Sequence, residues 1–227
     1  MDKISFVIPC FNNEENIDDL FNALVKNEKQ FIDVHFEYVL IDDASSDATL
    51  EVINKWEQLL PEKIKLIKLI KNIGSHKAVF KGLNYVTGSG IIIMAADLQD
   101  PPELSIKLYE NWKNGNKLVV TVKQNQLPYS SRMFHFIMRS LFVRNAPSGA
   151  FDYVLFDRSI LIELLKPSIK NCNVFYRLIE IHNEYSTLDY QKKDRLKGKS
   201  GWTFLKKFSF FFDNILMYSL SKLRIVK

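Results

Sequence analysis

Short unbroken apolar runs alternate with amphipathic stretches over the first half of this chain. ISFVIP (residues 4–9) and FEYVLI (36–41) have strand length and no helical period. IKLIKLI (64–70) alternates apolar residues with Lys65 and Lys68, as a third strand does. GIIIMA (90–95) is apolar throughout, which suits a central parallel strand covered on both faces, and KLVVTV (117–122) gives a fifth. Between the first two, residues 14–29 place Ile17, Leu20, Phe21, Leu24 and Val25 at the i, i+3, i+4, i+7, i+8 spacing of an amphipathic helix. Ser45, Ser46 and Asp47 then stand where a helix carrying Leu50, Ile53, Trp56 and Leu60 would be capped. Residues 74–85 read as a third helix. A fourth, with Leu104, Leu108 and Trp112, follows Pro101 and Pro102, which suit a first helical turn.

Five alternations of strand and helix predict an α/β fold, a doubly wound and mostly parallel sheet. Ligands of such sheets bind beyond the carboxyl ends of the strands. Polar residues follow four of the predicted strands: Asn12 and Glu14, Asp42 and Asp43, Asn72, and Asp97 to Asp100. No Gly-x-Gly-x-x-Gly follows the first strand, so a nicotinamide-binding dehydrogenase is disfavoured. Past Gln124 the periodicity weakens. Residues 129–144 read as a helix with Phe134, Ile137, Met138 and Leu141 on one side. PSGAFDYVLFDR (147–158) reads as a loop, a strand and a helix start, and residues 202–223 as a Phe-rich helix.

Composition narrows the class. With 47% of its 227 residues hydrophobic and 25% charged, the chain has material for a sizeable core and is not intrinsically disordered. Its net charge of +5 is uneven. From Lys192 onward ten basic residues face only Asp194 and Asp213, so the rest carries −3, and an anionic surface suits the basic, aromatic end. That end also has the character of a helix lying in a membrane interface. No secretory signal and no apolar run of transmembrane length are evident. Cys10 and Cys172 read as reduced thiols. His35, His76, His135 and His182 have no zinc-site spacing.

VIPCFNNEEN (7–16), IDDASSDAT (41–49) and DLQDPPE (97–103), in that order at strand ends, carry a specific resemblance. Over residues 4–213 the chain resembles glycosyltransferase family 2, within it most nearly the dolichyl- and polyprenyl-phosphate glycosyltransferases and their bacterial relatives. That resemblance implies a GT-A fold, a nucleotide-sugar donor and inversion at the anomeric carbon. It assigns Pro9, Asn12 and Glu14 to a nucleotide-side loop, Asp42 and Asp43 to the base and ribose, and Asn72 and Gly74 to an Asn-x-Gly loop near the nucleotide. Helix capping is the plainer reading of Asp42, Asp43, Ser45 and Asp47.

The resemblance makes Asp97 the ligand of a divalent cation, Mg2+ or Mn2+, on the donor diphosphate. The family commonly has Asp-x-Asp here, whereas this chain reads Ala95-Ala96-Asp97, and Gln99 on the same side of an extended segment would add a second oxygen. Asp100 reads as a helix cap ahead of Pro101. Asp152 matches the acceptor-side carboxylate, with Val154 where relatives carry Arg, while Asp157 reads as a cap for the helix that follows. Arg132 and Arg139 lie on one predicted helix. Arg195, with Gly198, Lys199 and Ser200, matches a string that relatives place near a substrate phosphate. Lys192, Lys193 and Lys197 are read as solvated or as part of that basic patch.

The expected organisation is a GT-A domain over residues 1–191, with its nucleotide half to residue 100, and a basic loop plus amphipathic helix over 192–227. The expected reaction moves a sugar from a nucleotide-sugar to a polyprenyl phosphate at the cytoplasmic face of the membrane, with the protein peripheral there and no nucleic-acid partner. Two alternatives stand beside it. One is transfer to a sugar hydroxyl in surface-polysaccharide assembly, for which Asp152 would be the base. The other is a non-catalytic GT-A protein that binds nucleotides, suggested by Ala95.

Overall fold

The computed structural model describes residues 1–124, 128–166, 173–193, 197, 211–216 and 218–219. At the middle of a seven-stranded sheet β1 (Asp2–Cys10) runs parallel to both β2 (Val34–Asp42) and β4 (Gly90–Ile93), with Val7 opposite Val39 and Ile93. β3 (Ile64–Lys68) extends the parallel set outside β2. Beyond β4 the pattern changes. β6 (Val154–Asp157) runs antiparallel between β4 and β5 (Leu118–Lys123), and β7 (Ser186–Tyr190) closes the far edge parallel to β5. The order is β3-β2-β1-β4-β6-β5-β7.

The apolar runs divide by pleat into two cores. Ile4, Phe6 and Ile8 of β1, with Tyr38, Leu40 and Ile92, face α1 (Glu14–Glu28), α2 (Thr49–Leu59) and α4 (Leu104–Lys113). Val7, Val39, Ile41, Ile91 and Ile93 face α3 (Ser75–Gly82), α6 (Arg158–Leu164) and α7 (Val174–Ile181). Both faces of each central strand are covered, so these runs need no polar alternation.

The predicted helix over residues 129–144 is shorter. α5 (Tyr129–Ile137) passes into a π-helical turn, Met138–Phe142, whose widened ladder ends at Val143. α7 and β7 went unpredicted, because STLDY is a polar edge strand with one buried residue. Of the predicted tail helix, residues 211–216 and 218–219 are helical and the rest lies outside the described residues. Asn214 is fully buried there and accepts the Asn173 N–H at 2.7 Å, which docks this helix on the start of α7.

The antiparallel strand matters for chemistry. Because β6 runs backwards, the residues before it emerge at the same end as the carboxyl ends of β4 and β5. Asp152 therefore lands there, while Asp157 lands at the opposite end, accepting the Trp112 indole N–H at 3.1 Å and capping α6 through the Ser159 N–H at 2.9 Å.

Candidate active site

The loops after β1 and β2 are stitched to each other. Asn12, at φ 53° in the left-handed region that Asn tolerates, accepts the Ser46 N–H at 2.9 Å and donates its own N–H to Ser45 Oγ at 3.0 Å. Glu14 accepts the Ala48 N–H at 2.7 Å, and its own N–H reaches Asp47 at 3.2 Å. Asp47 also accepts the Thr49 N–H at 3.0 Å, which ties it to the start of α2. Pro9 is half-buried beside Ile41 in the β1–β2 register.

Asp42 and Asp43 are both buried, and they are used differently. One oxygen of Asp42 receives the Ser45 N–H at 3.4 Å. The two oxygens of Asp43 receive the backbone N–H groups of Ile73 and Gly74 at 2.8 Å each, and the Asn72 amide donates to the Asp43 carbonyl at 3.2 Å. Asp43 thus clamps the Asn-x-Gly loop, whose Gly74 has φ 89°. Neither acid caps α2 through its side chain.

After β4 the chain turns through Leu98 at φ 57°, and the Asp97 carboxylate accepts the Gln99 N–H at 3.3 Å. This loop is clamped to the segment beyond β7: the Lys193 N–H donates to the Gln99 carbonyl at 2.9 Å and the Gln99 amide donates to the Lys193 carbonyl at 3.4 Å. Asp100 corrects a sequence expectation. It is 1% exposed and makes no capping bond, since Glu103 occupies that position before α4. Instead one of its oxygens accepts the Tyr190 hydroxyl and lies 3.8 Å from the Lys192 ammonium, and the other is buried with no hydrogen-bond partner. Burial raises the Asp100 pKa against the pull of Lys192 and Lys123.

Asp152 is ion-paired to Lys123, the last residue of β5. The lysine side chain is 6% exposed, whereas 44% of the Asp152 side chain is open to solvent. Burial alone would raise the Asp152 pKa; Lys123, Lys192 and His135 outweigh it and hold the carboxyl at about 2. His135 of α5 lies behind, with Nδ1 2.6 Å from the Tyr176 hydroxyl, and Tyr176 packs edge-on against Phe151. Burial depresses the pKa of His135, and that of His76 to about 4, in both cases against the opposing charge of Asp152.

The structure therefore gathers Asp97, Gln99 and Asp152 with Lys123, Lys192, Tyr190 and His135. Asn12, Glu14, Asp42, Asp43, Asn72 and Gly74 form the neighbouring loops. Arg132 stands apart, exposed on the outer side of α5. Arg195, Lys199 and Ser200 lie outside the described residues. Sequence reasoning missed Lys123 and Tyr190. The signal for Lys123 was present, a lone cation ending an otherwise uncharged, fully buried strand.

Among the described residues no three His, Cys, Asp or Glu side chains are grouped for a metal. Asp97 and Gln99 meet a smaller demand. A Mg2+ or Mn2+ ion held jointly with a diphosphate takes only one or two protein oxygens, and a carboxylate with an amide carbonyl is a fitting hard-oxygen pair.

A parallel core, an antiparallel β6 and acids gathered at one sheet end define a GT-A transferase fold. The family model described as "Glycosyl transferase family 2" matches residues 5–165, and the chain belongs to that family. An uncharacterized glycosyltransferase of Synechocystis sp. is 26% identical over 231 residues, covering 98% of this chain and 71% of the relative. The undecaprenyl-phosphate 4-deoxy-4-formamido-L-arabinose transferase of Proteus mirabilis is 26% identical over 238 residues, covering 100% and 71%. Among solved structures, glucosyl-3-phosphoglycerate synthase of Mycobacterium tuberculosis, in complex with Mn2+, uridine diphosphate and glucosyl-3-phosphoglycerate, aligns with a TM-score of 0.66. It is 12% identical and covers 97% of this chain and 79% of that chain, a likeness of fold. The protein is a glycosyltransferase.

Proposed function

We propose that this enzyme transfers a sugar, with inversion, from a nucleotide-sugar donor to a polyprenyl phosphate at the cytoplasmic face of a membrane. The observation that carries the reading is the Lys123–Asp152 ion pair. A sugar hydroxyl acceptor needs a general base with a pKa near the working pH, and a carboxylate held at about 2 is a poor one. A lipid phosphate is already an anion and needs cations to position it. The Proteus relative, named for an undecaprenyl-phosphate substrate, supports the same class of acceptor.

In this reading the acceptor oxygen attacks the anomeric carbon as the bond to the nucleoside diphosphate breaks. Asp42, Asn72 and Gly74, with Pro9, line the nucleotide side. Asn12, Glu14 and Asp43 shape it through the loops they tie together. Asp97 and Gln99 would hold a divalent cation, which would supply positive charge to the diphosphate side of the site. Asp152 borders the acceptor. Arg195 and Lys199 supply positive charge, and Ser200 a hydroxyl, for the acceptor phosphate, while Arg132 stands too far from the gathered acids for that role.

The membrane contact is assigned to the outer face of α5 and the adjoining tail. Tyr129 is 81% exposed and Phe136 69%, Met133 is also open, and Phe212 and Leu216 continue the apolar face. Phe134 and Phe211 join the two helices with ring centroids 6.0 Å apart. Arg132 on the same helix suits anionic lipid headgroups. Among the described residues no helix is long and apolar enough to cross a membrane.

The test incubates purified protein with UDP-, GDP- and dTDP-sugars, Mn2+ or Mg2+, and undecaprenyl phosphate in vesicles, with free saccharides in parallel. A glycosyl lipid phosphate of inverted configuration is the expected product. Transfer to saccharides with none to lipid phosphate overturns the acceptor assignment.

A further inference from the structure

The end of the sheet opposite the candidate site is also concave. Lys117 leads into β5 there, Tyr185 precedes β7, and Asp157 ends the antiparallel β6. Two hollows open at this end, of about 750 Å3 and about 270 Å3. Gly115 and Lys117 border both, so the two adjoin as one groove. The larger falls within the range of about 300–1,000 Å3 typical of small-molecule sites. No step of the proposed reaction uses it.

The groove is built from helix ends and amide side chains. α4 ends at Lys113 and α7 at Ile181, and the residues just beyond them, Gly115 with Asn116 and His182 with Asn183, wall the larger hollow. Each helix brings the negative end of its dipole to this end of the sheet. Asn116, Asn145 and Asn183 carry amides that both donate and accept, beside the His182 ring and the Glu184 carboxylate. Asn116 gives an amide N–H to the Asn111 carbonyl at 3.1 Å. The side chains of Asn145, His182, Asn183 and Glu184 make no hydrogen bond with another described residue. Two aromatic rings complete the walls. The Tyr185 hydroxyl donates to the Asn145 carbonyl, which fixes that ring at the larger hollow. Trp112 borders the smaller one, with its N–H on Asp157 at 3.1 Å.

Charge selects among ligands. A phosphate or other anion would meet two helix C-termini and Glu184, with Asp157 at the far end of the groove. A cation would meet Lys117, which borders both hollows; Lys113 is already paired with Asp2 at 2.8 Å. A neutral ligand dense in hydroxyls avoids both penalties. Its hydroxyls donate to carbonyls and accept from amides, and its C–H faces can lie on the rings of Tyr185 and Trp112.

We infer that this groove is a second, non-catalytic saccharide site, which binds a short neutral oligosaccharide at the end of the sheet remote from Asp97 and Asp152. It stands independently of the acceptor proposed above.

The test follows the amide NMR spectrum of the wild type during titration with maltotriose, cellotriose, mannotriose and chitotriose. Inorganic phosphate serves as the anion control, and UDP marks the donor site. At least one trisaccharide should give saturable shifts at Gly115, Asn145 and Asn183 that UDP does not displace. His182→Ala and Asn183→Ala should each raise its Kd roughly three- to tenfold, the effect of losing one hydrogen bond. Both should keep the transferase rate of the wild type. Thermal melting checks that the variants fold, and the wild-type titration decides the matter if they do not. Absence of saturable shifts at these three amides with all four trisaccharides overturns the inference. Shifts confined to the surroundings of Lys123 and Asp152 place the sugar at the catalytic end and also overturn it. Phosphate producing the same shifts as the sugars makes the groove an anion site instead, and an unchanged Kd in both folded variants removes the saccharide from this groove.

Discussion

The Lys123 ammonium and the Asp152 carboxylate are paired across the junction of β5 and the chain entering β6, with the lysine buried and the aspartate half open. The pair sets the acid strength of Asp152, because burial works in the opposite direction. Lys123→Met should therefore move the Asp152 pKa upward from about 2 by more than about one unit, read from the pH titration of its side-chain carboxyl carbon by NMR. An unmoved titration would show that the pair does not control this group.

Asp152→Asn leaves the buried Lys123 ammonium without its partner. Removing one member of a fully buried pair costs about 3–5 kcal/mol, and the half-open aspartate reduces that to about 1–2 kcal/mol. Urea denaturation at pH 7 measures it. If Asp152 is not a general base, transfer to lipid phosphate should fall by less than about a hundredfold, the lower end of what general-base catalysis contributes. A loss of thousands would restore Asp152 as the base.

A second carboxylate carries a stability effect far from the site. Burial would raise the Glu37 pKa, but Lys3, Ser5 and the backbone and hydroxyl of Thr87 hold it at about 2, below its ordinary value of 4.5. A depressed folded-state pKa means stability that is present above about pH 4.5 and is lost as pH falls toward 2. Glu37→Gln should be less stable than wild type at pH 7, and the gap should narrow between pH 4.5 and 2. Thermal unfolding of both proteins across that range reads the difference.

The parallel half of the fold was legible because strands buried on both faces must be apolar throughout, as in GIIIMA, and strand ends must release the polar residues. The second half was not. β6 pairs antiparallel to both neighbours, and nothing in VLFD states its direction; only the sheet reveals that Asp152 precedes it at the end that carries Asp97. β7 is an edge strand, and its alternation is too weak to mark it against a loop. The acids at strand ends were visible, but not how they are used. Asp43 binds two backbone N–H groups of another loop, and Asp100 reaches Tyr190 ninety residues away.

That use of Asp43 separates loop shape from ligand contact. Asp43→Ala removes the acceptor for two partly buried N–H groups and should cost about 1–2 kcal/mol. It should also speed amide exchange at Ile73 and Gly74. Gly74→Ala is the complementary probe: no atom lies within 4 Å of the added Cβ, so only the φ of 89° opposes it, at about 1–2 kcal/mol. Both variants should weaken nucleotide binding more than acceptor binding. Unchanged exchange at Ile73 in Asp43→Ala would mean the loop holds its shape without the clamp.

Asp97 offers the sharpest test of the donor side, since this chain has Ala95 where a second acid is common. If the Asp97 carboxylate and the Gln99 amide suffice, one nucleoside diphosphate should stabilise the protein more when Mn2+ or Mg2+ is present than without it. A ligand at a hundredfold excess over its Kd adds about 2.7 kcal/mol of unfolding free energy. Asp97→Ala should abolish the metal-dependent part of that shift, and Gln99→Ala should reduce it. Any metal-independent binding should survive both changes, because the loops after β1, β2 and β3 make their bonds without either side chain. A nucleotide shift equal with and without metal, and unaltered in Asp97→Ala, would leave the diphosphate to be held by the basic residues of the chain alone. The donor site would then be cation-independent despite its fold.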